Sequence, residues 1–342
     1  MSRRRVGLHH DQAHLAHDVP GHPERPDRVR AIYDELARTD LLPRFVPVPE
    51  RVATEAELRL VHHPDLIELL RKLDAAGGAQ LDPDTAILSG SFDAAARAVG
   101  GALNGVDRVL IGDLDTVFCL DRPPGHHATP TRPMGFCLFN QVAVAARYAQ
   151  QAHQIDSVAI VDIDVHHGNG TQDTFEQDAS VLYCSTHEYP FYPGTGHWRD
   201  TGAGNIVNLS LPAGSGDAEY AASFRRVIEP AIRRFRPQLI LVSAGFDAHL
   251  ADPLADMAVT EPGYTFMAAH LQALADELTD GRMVWVLEGG YRLEAIARSA
   301  AAVLRVLLGD RPNLTIEDAP RADVTRLLNA AAELHGLGMN QD

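Results

Sequence analysis

No stretch of this chain is apolar for the roughly 20 residues that a membrane-spanning helix needs, so no such helix is expected. The start, Met1-Ser2-Arg3-Arg4-Arg5, is basic, but Val6-Gly7-Leu8-His9-His10 is too short and polar for a signal-peptide core, which leaves the cytoplasm as the expected compartment. Cysteine is scarce: Cys119, Cys137 and Cys184 show no Cys-x-x-Cys spacing. Buried reduced thiols are expected, rather than a disulfide framework or a thiolate metal site. Positive charge is short too, with 30 Lys and Arg against 46 Asp and Glu and a net charge of −16. That balance argues against nucleic-acid phosphate as a partner and tolerates cationic ligands. No Gly-x-Ser-x-Gly elbow, P-loop or dinucleotide fingerprint is present, and no repeat, low-complexity tract or linker divides the chain.

What is present is a steady alternation of strand and helix signals through 342 residues. Apolar runs predict strands at 116–120, 158–163, 180–184, 206–211, 239–243 and 283–287. Helical spacing marks 27–38, a helix capped by Ser91, 139–150, 218–235, 264–278 and 293–308. Pro230 should kink or restart the fourth of these. Strands apolar on both faces, alternating with helices, indicate a mostly parallel sheet covered on both sides. One α/β domain over 1–342 is expected, with 311–342 as a docked tail bearing a short helix near 323–334.

The most informative run is Ile160-Val161-Asp162-Ile163-Asp164-Val165-His166-His167-Gly168-Asn169-Gly170. Strand side chains alternate faces, so Asp162, Asp164 and His166 are expected to project together. Buried acids need a partner or a metal. Three further predicted strand ends carry polar residues: Arg122-Pro123-Pro124-Gly125-His126-His127-Ala128, Ala244-Gly245-Phe246-Asp247-Ala248-His249 and Glu288-Gly289-Gly290-Tyr291. Each alone could be a loop, a cap or a turn. Together, at carboxyl ends where α/β sheets bind ligands, they favour one shared site.

Asp164, His166 and Asp247 offer two oxygens and one nitrogen and leave a position open, as catalytic zinc sites do. His126 and His127 can supply acid and base, and Tyr291 can donate to a developing oxyanion. That set describes amide or ester hydrolysis by water.

These motifs resemble the zinc-dependent histone deacetylase and acetylpolyamine amidohydrolase superfamily, on the arginase–deacetylase fold. The likeness runs from His22-Pro23-Glu24-Arg25-Pro26 through about Gly309 and includes Gly-Phe-Cys-Leu-Phe-Asn at 135–140 and Tyr192-Pro193-Gly194-Thr195-Gly196. It implies one Zn²⁺ on Asp164, His166 and Asp247, with His127 as general base and acid beside a mostly electrostatic His126. Asp162 would orient His126. Asn169 would support His127 where some relatives carry aspartate, which should keep the proton affinity of His127 lower. A structural K⁺ would be held by Asp162, Ser185 and the main-chain oxygens of Asp164, His166 and Thr186. Phe136 and Tyr192, with Gly135, Leu254, Gly289 and Gly290, would line an apolar tunnel for the substrate. Arg25 would lie under the site or form a salt bridge.

The acylated amine stays open between acyl-lysine peptides or proteins and acetylated polyamines. In polyamine-selective relatives an acid can follow Asp-Pro, whereas Asp252-Pro253 here precedes Leu254. No long insertion of the kind found in some bacterial polyamine enzymes lies between Asp84 and Arg122. Both features lean toward acyl-lysine. A binuclear manganese ureohydrolase would need a second acid beside Asp247, where this chain has His249. A catalytically silent acyl-lysine binder would not need His127 and Tyr291. A homo-oligomer is compatible with all of these.

Overall fold

Strands without a polar face must be covered by helices on both sides, and the chain is built that way. A computed structural model describes residues 4–310, 314, 316 and 319–338. Its strands are β1 (Val6–His9), β2 (Val46–Val48), β3 (Gly78–Gln80), β4 (Ala86–Leu88), β5 (Thr116–Cys119), β6 (Val158–Asp162), β7 (Val181–Glu188), β8 (Ile206–Leu211), β9 (Leu239–Ala244) and β10 (Met283–Leu287). Eight form one sheet in the order β2-β1-β5-β10-β9-β6-β7-β8. Every pairing in it is parallel. β3 and β4 form a separate antiparallel pair.

The helices are α1 (Asp27–Arg38), α2 (Glu55–Leu58), α3 (Pro64–Ala75), α4 (Ser91–Leu110), α5 (Gln141–His153), α6 (Asn169–Phe175), α7 (Asp217–Ser223), α8 (Glu229–Phe235), α9 (Glu261–Leu278), α10 (Leu293–Leu307) and α11 (Ala322–Leu334). Period-2 alternation divides the core between the two faces. Ile240, Val242 and Trp285 pack with α1, α9, α10 and α11, while Leu239, Leu241 and Val284 pack with α3, α4 and α5. α11 is seated through Val324, Leu328, Ala331 and Ala332. Parts of the expected tail, 311–313, 315, 317–318 and 339–342, lie outside the described residues.

Between α7 and α8 the chain makes a π-helical turn at Phe224–Ile228, and Pro230 falls in the first turn of α8. Proline has no N–H to continue the ladder, so the expected restart occurs there. Ser91 is not the cap of α4: Gly90 holds that position, in a left-handed conformation with φ +91°. The Ser91 hydroxyl instead accepts from Leu88 N–H and bonds His17 Nδ1.

The fold brings the motifs together. β5, β10, β9 and β6 are consecutive neighbours in the sheet. All four polar motifs therefore leave the same edge side by side.

Candidate metal centre and acyl-binding cavity

β6 stops at Asp162, and residues 163–168 turn away from strand geometry. Asp164 and His166 therefore meet through a bend, not through the strand alternation expected for them. Asp164 Oδ1 accepts from His166 N–H at 2.9 Å and lies 3.1 Å from His166 Nδ1, and its Oδ2 accepts from Gly289 N–H at 2.8 Å. Asp247 Oδ1 accepts from Val165 N–H at 2.9 Å. Asp247 Oδ2 is 3.2 Å from His166 Nδ1 yet is buried without a hydrogen bond. One ligand atom from each of the three residues lies within 4.8 Å of the others, the one such cluster among the described residues.

The donor set fits a divalent cation. Burial and the adjacent Asp164 carboxylate push Asp247 up to about 7, so a nearby cation would restore its ionised form. The space is kept open by glycine: a Cβ on Gly289 would stand 2.0 Å from Asp247 Oδ2 and 2.6 Å from Asp164 Oδ2.

The paired imidazoles lie with ring centroids 4.0 Å apart. His126 Nδ1 donates to Asp162 Oδ2 at 3.0 Å, and Tyr183 donates to the same oxygen at 2.9 Å. His127 Nδ1 is 2.8 Å from Asn169 Oδ1. An amide oxygen only accepts, so His127 carries its proton on Nδ1 and keeps Nε2 free as a base. The two differ in proton affinity. Burial opposes charge on His126, but Asp162, Asp164 and Glu288 outweigh it and raise the pKa well above 6.5. Burial, reinforced by His126 and His166, drives His127 well below that value. Asp162 and Asn169 are thus the Nδ1 partners of His126 and His127, respectively.

Above these groups lies a cavity of about 220 Å³. Gly135, Phe136, Tyr192, Leu254 and Gly289 line it, as expected from the sequence, together with His126, His127, His166 and Tyr291. Gly290 is not in the lining. Its φ of +113° requires glycine, and its carbonyl accepts from Arg28 Nε at 2.6 Å. Phe136 holds a left-handed φ of +70°, which is costly for a bulky residue. Its N–H is held by Thr85 Oγ1 at 3.0 Å, and its ring stands edge-on to His22 and Tyr291.

Several participants went unassigned in the sequence. Asp84, Pro124 and Phe191 also line the cavity. The arginine under the site is Arg28, not Arg25, which makes an exposed ion pair with Asp27 at 3.3 Å. Arg28 is fully buried, stands 4.8 Å over the Tyr291 ring and donates to Glu288 O at 2.5 Å. Glu24 binds both Arg28 (3.0 Å) and Arg122 (2.7 and 2.5 Å). Glu288 Oε2 accepts from Gly125 N–H at 2.6 Å and His126 N–H at 3.1 Å, pinning the histidine turn. Asp252 accepts from the backbone of Tyr291. Asp162 and Ser185 are register partners across β6 and β7, Ser185 Oγ bonds His187 Nδ1 at 2.8 Å, and Thr186 Oγ1 lies 3.5 Å from Asp162 O.

A cluster that could hold a metal ion thus lies beside two imidazoles at the carboxyl edge of a parallel α/β sheet, where such sheets bind their ligands. More particularly, the histone deacetylase domain model matches residues 22–307, and the chain belongs to that family. It is 39% identical to "Histone deacetylase 14, chloroplastic" of Arabidopsis thaliana, over 95% of this chain and 84% of that one. It is 41% identical to "Polyamine deacetylase HDAC10" of Homo sapiens, over 84% of this chain and 45% of that one. Among solved structures, "Crystal Structure of HDA15 HD domain" superposes with a TM-score of 0.91 at 38% identity, covering 97% of this chain and 94% of that one. The arginase–deacetylase-type single α/β domain expected from the motifs is thus the fold found. The family and its relatives support a deacetylase.

Proposed function

We propose that this chain is a zinc-dependent amidohydrolase that removes acetyl or other short acyl groups from amines, with acyl-lysine side chains as the preferred class. The observation that carries it is the meeting of Asp164, His166 and Asp247 with His127 and Tyr291 around one cavity. Zinc held by those three ligands would supply Lewis acidity to the acyl carbonyl and acidify a water.

The chain's own groups supply the rest. His127 takes a proton at Nε2 from the attacking water and returns it to the leaving amine. His126, hydrogen-bonded through Nδ1 to Asp162, lies beside it and favours negative charge developing on the acyl carbon's oxygen. Tyr291 keeps its proton, because burial pushes its pKa well above 10, and donates it as a hydrogen bond to that oxygen. Phe136 and Tyr192 flank the methylene stem and exclude water. A potassium ion on Asp162, Ser185 and nearby main-chain oxygens belongs to the same reading, supported by the Asp162–Ser185 adjacency.

Leu254 in the lining, where an acid would attract a polyamine, favours acyl-lysine. A second reading, acetylpolyamine hydrolysis, draws on the carboxylate of Asp84 in the same lining. The test is turnover of a fluorogenic acetyl-lysine peptide and of acetylated polyamines, with chelator and after zinc return. Chelator-sensitive, zinc-restored release with higher kcat/KM on the peptide is expected. Two manganese ions per chain would replace this reading with a ureohydrolase. No turnover on any substrate with zinc bound would leave an acyl-lysine binder.

A further inference from the structure

Tyr291 follows Gly289 and Gly290, two residues without side chains to fix the turn, and precedes α10, whose N-cap, Arg292, provides no side-chain cap. A donor that must meet a developing charge needs its backbone held by something else. Asp164 and Arg28 hold the two glycines, and at Tyr291 itself the anchor is Asp252, in the loop after β9, only 7% exposed. Its two oxygens are divided between two turns. Oδ2 accepts from Tyr291 N–H at 2.6 Å and from Arg292 N–H at 3.2 Å. Oδ1 accepts from Leu254 N–H at 3.0 Å.

We infer that Asp252 is a positioning residue for deacylation, joining the turn that aims Tyr291 to the loop that places Leu254 in the cavity lining. The inference rests on Tyr291 being the oxyanion donor. Chemistry explains the residue type. A carboxylate offers two acceptor oxygens, one for each turn, and the carboxylate also suits the start of α10. An amide of equal size has a single acceptor and meets the other turn with an N–H, donor against donor. Asp252→Asn therefore breaks the link without opening a cavity.

The test is a double-mutant cycle on the zinc-loaded full chain, with the acetyl-lysine peptide as substrate. Zinc content and thermal midpoint are measured for each of the four proteins. Tyr291→Phe is expected to lower kcat by roughly 10²–10³, as for one lost oxyanion donor. Asp252→Asn is expected to lower kcat by about 10- to 100-fold with KM within about twofold. In the Tyr291→Phe background the same change should cost less than about threefold, since the group it aims is already gone. An equal loss in both backgrounds would overturn the inference and place Asp252 in general folding or in the electrostatics of Asp247. So would a kcat for Asp252→Asn within about twofold of the parent. An unchanged kcat for Tyr291→Phe would instead overturn the oxyanion reading itself, and the role of Asp252 with it. Asp252→Ser, which also lacks the second acceptor, serves the same cycle if the asparagine variant does not fold.

Discussion

On the floor of the cavity His126, His127 and Asp164 are each less than 5% exposed and each is bonded to a named partner. In its wall Phe191, Tyr192 and Leu254 are half-buried, and the two rings meet the floor through edge or stacked contacts rather than ion pairs. The difference has a physical origin. Charges removed from water must be matched group by group, so the floor is a closed network. Apolar walls need only shape, so single residues there can change without stranding a charge. On the proposed function, reaction type would reside in the floor and substrate choice in the wall, a division that substitutions can break or sharpen.

The largest effect is expected from His127→Ala, a loss in kcat of roughly 10²–10⁴ for removal of a general acid–base, at least as severe as that of His126→Ala. The opposite order, measured on zinc-loaded proteins, would assign the base to His126. Next is Glu24→Gln, which leaves the buried Arg28 and Arg122 guanidiniums uncompensated and should destabilise the chain by about 3–5 kcal/mol in denaturant unfolding. Its pH dependence has a definite sign. Burial alone would raise the Glu24 pKa, but Arg122 and then Arg28 overcome it and hold the pKa at about 2, below the usual 4.5. Stability from Glu24 is thus fully present above pH 4.5 and is lost as the pH falls toward 2. The difference between parent and variant should shrink over that window, and a constant difference would show that the two arginines do not depend on this carboxylate.

A milder probe of the floor is Asn169→Asp. It sets a carboxylate against His127 Nδ1 and favours the imidazolium. The acid limb of kcat/KM should move to higher pH by about one unit. An unmoved limb would mean that His127 is not the group titrating there.

What the sequence made legible follows the same division. The candidate metal-binding residues stand within short motifs at strand ends, so Asp164, His166 and Asp247 could be named from the sequence, and the family resemblance of those motifs added the His127–Asn169 pair. The four strands carrying them prove to be neighbours because parallel α/β topology gathers carboxyl ends on one edge. The supporting groups were hidden, because their partners are backbone N–H groups far along the chain. Asp252 reaches Tyr291 across 39 residues, and Glu288 reaches Gly125 across 163. No spacing encodes such contacts. Arg28 is a different case: it lies on the same helical stripe as Ile32, one turn on, and both are fully buried. Helical periodicity carried that signal, and the His-Pro-Glu-Arg-Pro motif drew attention to Arg25 instead. β1 escaped notice because four residues ending in histidine do not read as a buried strand, yet all four are buried between β2 and β5.

The smallest effect concerns the wall. Leu254 is half-buried in the cavity lining, and its N–H is fixed by Asp252, so a glutamate there would keep its backbone place and add charge beside the substrate path. A carboxylate at that position attracts the second ammonium of an acetylated polyamine and disfavours an acyl-lysine peptide with acidic neighbours. Leu254→Glu should shift the kcat/KM ratio toward acetylpolyamines by roughly tenfold, the scale of one partly exposed charge interaction of about 1.4 kcal/mol. The zinc content and the His127-dependent pH limb should stay as they are, because no floor group loses a partner. A changed ratio with an unchanged pH profile would place selectivity in the wall alone. An unchanged ratio would mean that Asp84, the other carboxylate-bearing position in the lining, already governs the cationic end of the substrate.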